Sequence, residues 1–301
     1  MFNRPISLGV ITALLLAVTP TYGIIMHDAA QYDEAWLGEY YALGCEYDCV
    51  VALYGYDGST WWGIGSGTVI SPNHVIGAAH SALLNEGNLY ERYGMVTGNH
   101  LINDWWAMYE TTTVAVHPEY TDIAVSPDMA IWTFEDEIED VTPASLYTGD
   151  DSDLLGSLID LVGFGRYGYP STGEIDKDGA KRGTSNLLTR IGWSAQGITD
   201  DQLVTKFCAP GDAGYQHLGG MGGGGDSGGA WFSEELSLEE PMLVAVHGFR
   251  NGTWNYGSAG GASVSQQYGW IHSVVVPEPS TIVMFVVGGA FLAVCRWRKR
   301  R

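Results

Sequence analysis

Three short strings carry the residue types of nucleophilic catalysis. The first, G-S-G-T-V-I-S-P-N-H-V-I-G-A-A-H, ends at His80. The second, H-P-E-Y-T-D-I-A-V-S-P-D-M-A-I-W, contains Asp122 and Asp128. The third, G-G-G-G-D-S-G-G-A-W, centres on Ser227. A serine hydroxyl is a weak nucleophile. It needs a base to take its proton and a carboxylate to fix the tautomer of that base. Glycines on both sides of Ser227 permit the tight backbone that exposes a hydroxyl. The N–H groups of Gly225 and Ser227 are the natural donors to a developing oxyanion. His80 follows a small-residue stretch just past an expected strand. Asp128 opens the apolar run M-A-I-W, where a carboxylate is partly shielded from water and suited to orienting an imidazole.

These residues must be positioned by strands. Segments of five to ten residues rich in Val, Ile, Trp and Tyr and punctuated by glycine dominate the middle of the chain. They include Cys49–Tyr56, Trp61–Ile70, Val75–Ala79, Thr111–Val116, Ala130–Phe134, Leu158–Gly163, Leu187–Trp193, Leu243–Phe249 and Gly261–Ser265. Glycine reaches 41 of 301 residues, about twice its usual share, without a G-x-y period. The expectation is an all-β barrel or sandwich with frequent turns. No long helical stripe precedes the C-terminal tail, and Val264–Ser273 reads as a short helix. An acidic, polar break around Asp136–Ser157 separates two halves, expected as residues 24–150 and 151–272.

With these residues in view, the chain resembles the chymotrypsin/trypsin-like serine peptidase family from about Asp48 to Ile271. The order His, Asp, Ser and the gaps of 48 and 99 residues are those of the family. The resemblance implies two antiparallel Greek-key β-barrels of six strands each, with the active site in the cleft between them. It assigns His80 as general base, Asp128 as its orienter and Ser227 as nucleophile. Asp122 begins D-I-A, which is the family's own string at the acid, and stands as the competing choice. Asp226 precedes the nucleophile, where the family pairs an acid with the free N-terminal amine. The family cysteine after A-A-H is replaced by Ser81, and Cys208 in F-C-A-P-G lacks its upstream partner. G-D-S-G-G also satisfies the α/β-hydrolase elbow. That fold wants crossover helices and a later histidine, for which only His247 and His272 are available.

Both ends read as addresses. Residues 1–23 combine Arg4, the apolar run Leu8–Val18 and the small-x-small tripeptide Thr21-Tyr22-Gly23, the layout of a signal peptide cut before Ile24 by signal peptidase. Residues 273–301 contain V-P-E-P-S (276–280), fifteen uncharged residues (281–295) and a basic end (296–301). The apolar stretch spans only ~22 Å as a helix, which as bare physics makes it a marginal stop-transfer anchor with the basic cluster on the cytoplasmic side. This tail resembles the PEP-CTERM sorting signal. The resemblance implies handling by an exosortase-like enzyme in a Gram-negative bacterium, with transient membrane association and passage through the inner membrane to the cell surface or extracellular matrix.

Between residues 24 and 280 lie 8 basic and all 35 acidic residues, a net charge of −27. This argues against a nucleic-acid partner. Export opens an oxidising compartment, yet three cysteines outside the tail make no disulfide scaffold, although Cys45 and Cys49 could close a small loop. No metal-ligand cluster or cofactor motif is visible.

The leading expectation is an exported serine endopeptidase acting on protein or peptide. A binding protein built on an inactive peptidase fold, or an esterase with the same triad, are the alternatives. Met221 lies six residues before the nucleophile, where family members of basic specificity use Asp. V-A-V-H-G-F places His247 near the pocket wall and resembles the glutamate-specific branch. Uncharged P1 side chains are therefore the first expectation and glutamate the second.

Overall fold

The computed structural model describes residues 24–84, 87–101, 108–139, 141–176, 178–233, 235–236, 240–251 and 256–276. The expected signal segment 1–23 and nearly all of the PEP-CTERM-like tail lie outside them.

The chain opens with β1 (Ile25–Met26) and α1 (Glu34–Cys45). Next come β2 (Val50–Tyr56), β3 (Trp61–Ser71), β4 (His74–Gly77), α2 (Ala79–Ala82), β5 (Arg92–Val96), β6 (Tyr109–Thr111), β7 (Thr113–Val116) and β8 (Ala130–Thr133). The second half contributes β9 (Ser145–Leu146), β10 (Leu158–Gly163), β11 (Tyr167–Tyr169), β12 (Gly173–Asp176), β13 (Arg182–Trp193) and β14 (Ile198–Lys206). It continues with β15 (Gly220–Met221), β16 (Ala230–Ser233), β17 (Met242–Asn251), β18 (Ser258–Ser263) and α3 (Val264–Val275).

Two barrels result. In the second, the order β16-β10-β13-β14-β18-β17 is closed by pairing of β16 with β17. In the first, the order β6-β5-β2-β3-β4-β8-β7 stops just short of closure. It holds seven strand segments rather than the expected six, because the chain bends at Thr112 and divides one edge strand into β6 and β7. The short, β-branched and aromatic segments are covered on both faces: Val50, Val75 and the consecutive Ile131 and Trp132, which point to opposite sides of β8, are all fully buried. One apolar cluster runs through the first barrel and across to Val162, Phe232 and Val246 of the second. Each buried aliphatic side chain contributes about 1.5–3 kcal/mol relative to exposure.

The sequence reading missed α1. Only Tyr40, Leu43 and Gly44 of its twelve residues are buried, so its apolar stripe is thin. Asp33 caps it, with Oδ1 accepting from Ala35 N at 3.0 Å and Trp36 N at 3.2 Å. The helix lies on β13, and a side chain at Gly44 would sit 2.7 Å from the backbone of Arg182. Residues 24–45 thus precede the first barrel in the chain but pack on the second. Cys45, Cys49 and Cys208 are free thiols. Among the described residues no helix is long and apolar enough to cross a membrane, and no cluster could hold a metal ion.

Candidate active site

Strand register brings the first pair together. β4 and β8 are antiparallel, with Gly77 opposite Ala130. The residues just past these paired ends are His80, in the single turn of α2, and Asp128. His80 Nδ1 lies 2.6 Å from Asp128 Oδ2, and His80 N donates to Asp128 Oδ1 at 2.9 Å. The Asp128 side chain is fully buried, while that of His80 remains 23% exposed. A buried carboxylate on Nδ1 fixes the tautomer and leaves Nε2 as the proton-accepting atom. Asp122 sits elsewhere. It is exposed in a turn, its Oδ1 accepting from Ile123 N at 2.7 Å.

Ser227 occupies the turn between β15 and β16. The turn is fastened to the first barrel through β3: Ser66 N donates to Ser227 O at 2.8 Å, and Ser66 Oγ donates to Gly225 O at 3.0 Å. Gly228, at φ +82°, packs against the strand end leading to His80. A side chain there would lie 2.8 Å from Ala78 N and 2.2 Å from Ser66 O, so only glycine fits. On the far side, Gly228 N donates to His247 O at 2.7 Å, and a side chain at Gly248 would lie 3.2 Å from Asp128 Oδ2. The Ser227 turn therefore lies where the barrels meet, against the strand end that leads to His80, with Asp128 beside Gly248 of the second barrel. Among the described residues, no protein acceptor takes the N–H of Gly225 or of Ser227, which leaves both open to a ligand oxygen.

Asp226 lies directly beneath, fully buried. Its Oδ1 accepts from Gly165 N at 2.7 Å. Its Oδ2 accepts from Gly223 N at 2.8 Å and Ile24 N at 3.1 Å. Burial pushes this carboxyl up to about 7, against the pull of the Gly223 and Gly165 N–H groups. Ile24 itself is fully buried at φ +77°, a region that β-branched residues almost never occupy.

The residues expected to line the specificity pocket are both buried. Met221 lies in β15 opposite Ile25. His247 lies on β17 with its ring near Trp231, centroids 6.1 Å apart. A side chain at Gly222 would lie 2.3 Å from His247 Nε2, so the imidazole fills the space above that glycine. Burial lowers the His247 ring to about 3, followed in effect by the charges of His80 and Arg250. The ring is therefore neutral at ordinary pH.

Sequence reasoning missed Ser66 and the Arg166–Glu174 hairpin that borders the glycine run. Ser66 lies within G-S-G at a strand interior, a position whose only signal is a small polar residue where an apolar one is expected.

A family model described as trypsin matches residues 46–271, and one described as the PEP-CTERM protein-sorting motif matches residues 275–301. A solved structure titled HL collagenase is similar in fold at 16% identity and a TM-score of 0.58, covering 77% of this chain and 95% of that one. No curated protein sequence matches.

Proposed function

The chain belongs to the trypsin family, and from that premise we propose that it is an exported serine endopeptidase working through Ser227, His80 and Asp128. The observation that carries this reading is the buried Asp128 carboxylate bonded to His80 Nδ1 at 2.6 Å, beside a serine turn held to the same barrel. Ser227 Oγ attacks the scissile carbonyl as His80 Nε2 takes its proton. The oxyanion is met by the N–H groups of Gly225 and Ser227. The C–N bond then breaks, with His80 protonating the leaving amine, and the acyl-enzyme is hydrolysed by water activated at the same imidazole. Acid protonates the base, so the rate is expected to fall as pH is lowered. Full activity at pH 4 would contradict an imidazole base.

The test is hydrolysis by the purified chain of a matched amide and ester pair. Cleavage of both, lost in Ser227→Ala, supports a peptidase. Cleavage of the ester alone points to the esterase alternative, and cleavage of neither to a binding protein.

Asp226 is the proposed partner of a new N-terminal amine at Ile24, released by signal peptidase. Two observations favour this start. Ile24 N already lies 3.1 Å from Asp226 Oδ2, and the φ of Ile24 is strained only while a preceding residue is attached. The PEP-CTERM motif then implies delivery to the cell surface through an exosortase-like enzyme.

For P1 specificity the reading is an uncharged side chain. Met221 supplies an apolar floor, and His247 a single neutral hydrogen-bonding wall. A neutral ring lacks the charge-assisted bond that would single out glutamate, and the net charge of −27 over residues 24–280 repels acidic substrates. A peptide library is expected to show cleavage after medium or large uncharged residues. Gly222→Ala, which drives a methyl into His247, should reduce that cleavage by roughly 10–100-fold, the range of a pocket contact worth about 1–3 kcal/mol. Dominant cleavage after Glu that disappears in His247→Ala would replace this reading.

A further inference from the structure

Four consecutive glycines, 222–225, lead into Asp226 and the nucleophile. Such a run has no side chain to pack and loses a large backbone entropy on ordering. Its conformation must therefore be imposed by groups outside it, and the structure shows which. Gly223 N donates to Asp226 Oδ2 at 2.8 Å, and Gly223 O accepts from Asp226 N at 3.1 Å. Gly225 O accepts from Ser66 Oγ. The remaining links come from one hairpin. Arg166 N donates to Gly224 O at 2.8 Å, and Glu174 Oε1, on β12, accepts from Gly224 N at 2.6 Å.

The peptide between Gly224 and Gly225 decides whether an oxyanion donor exists. In a trans peptide the carbonyl and the N–H point in opposite directions. With Gly224 O turned towards Arg166 N, Gly225 N–H faces the other way and is left, among the described residues, without a protein acceptor. Gly224 carries two anchors, its O on the Arg166 backbone and its N on the Glu174 side chain. If the second is lost, the peptide before Gly224 keeps only the bond from Asp226 N to Gly223 O and the peptide after it only the bond from Arg166 N to Gly224 O, and glycine's access to both signs of φ, with Gly225 already at +101°, lets this pair shift away from the donor geometry.

We propose that Glu174 is a positioning residue of the oxyanion hole, holding Gly224 so that the next peptide presents its N–H to the tetrahedral intermediate. This rests on the serine peptidase reading above. The Glu174 side chain is 19% exposed, and its Oε2 lies 4.0 Å from Arg166 Nε. That arrangement offsets a negative charge close to where an oxyanion forms. The needed property of residue 174 is a fixed acceptor, and its charge is secondary.

The test compares Glu174→Ala and Glu174→Gln with the unaltered chain on one peptide substrate drawn from the library above, alongside thermal melting. Glu174→Ala is expected to lower kcat by roughly 10–100-fold with KM within about twofold, approaching the effect of losing one oxyanion donor. Glu174→Gln, which keeps the acceptor oxygen, is expected to retain at least half of kcat. The melting temperature of both is expected to stay close to that of the parent. An unchanged kcat in Glu174→Ala would overturn the proposal while leaving the peptidase reading intact. So would equal loss in the Gln variant, which would make the charge the operative feature, or a fall in kcat that merely tracks a large fall in melting temperature. An inactive parent chain would defeat the peptidase reading itself.

Discussion

Asp128→Asn is expected to lower kcat by about 10⁴-fold while leaving the fold unchanged, and Asp122→Asn to change it by less than about twofold. The asparagine would keep the size of Asp128 but offer Nδ1 an amide in place of a carboxylate, so the imidazole could settle in the wrong tautomer. Asp128 is fully buried against Gly248 of the second barrel and holds His80 through both ring and backbone. Asp122 turns its carboxylate to Ile123 N at the surface. Steady-state kinetics of the two variants, with circular dichroism to verify folding, separate them. A large loss in Asp122→Asn with none in Asp128→Asn would reverse the assignment of the acid.

A chain beginning at Ile24 is expected to be more active, by about 10²-fold or more, than one carrying additional residues before it. The reason is electrostatic. In the unprocessed chain Asp226 is buried among neutral N–H donors and its carboxyl lies near 7. An acid whose folded pKa is raised binds a proton more tightly folded than unfolded, so stability falls as pH rises. No penalty is present below about pH 4, the ordinary carboxylate range, and it is complete above about 7. A free Ile24 amine places a cation at the same site and removes the penalty. The difference in melting temperature between the two forms should therefore be small near pH 4 and widest at neutral pH. Asp226→Asn in the processed form would leave the buried ammonium unpaired, a loss of about 3–5 kcal/mol, and should inactivate it. Intact mass of the exported protein checks the start site. A mature start well beyond Ile25, or equal activity of both forms, would remove this part of the account.

How far the sequence could be read depended on where the determining contacts lie along the chain. The strands were legible because each is short, β-branched and bounded by turn residues. Leu158–Gly163 coincides with its observed limits, whereas Leu187–Trp193 begins five residues late because Arg182–Asn186 is polar yet buried against the N-terminal segment and the 216–220 turn. α1 was not legible: a helix that buries three residues leaves little periodicity, and its stability comes from docking on β13. The strings around His80, Asp128 and Ser227 were conspicuous because each joins a reactive side chain to a distinctive local run: small residues before His80, an apolar stretch after Asp128 and glycines on both sides of Ser227. The apolar run after Asp128 favours it over Asp122 in the sequence, whereas its 2.6 Å pairing with His80 Nδ1 follows from the register of β4 against β8, which no local pattern encodes. Glu174 is 53 residues from the nucleophile, on an edge hairpin with no signature. Its relation to Gly224 exists only in three dimensions.

The central claim is that Ser227 is a nucleophile activated by His80, and covalent labelling with a fluorophosphonate tests it most directly. The reagent needs no knowledge of substrate preference. The account predicts one equivalent of label per processed chain, mapped by mass spectrometry to Ser227, absent from Ser227→Ala and strongly slowed in His80→Ala. A correctly processed, folded chain that takes up no label, or one labelled at another residue with Ser227→Ala unaffected, would contradict it.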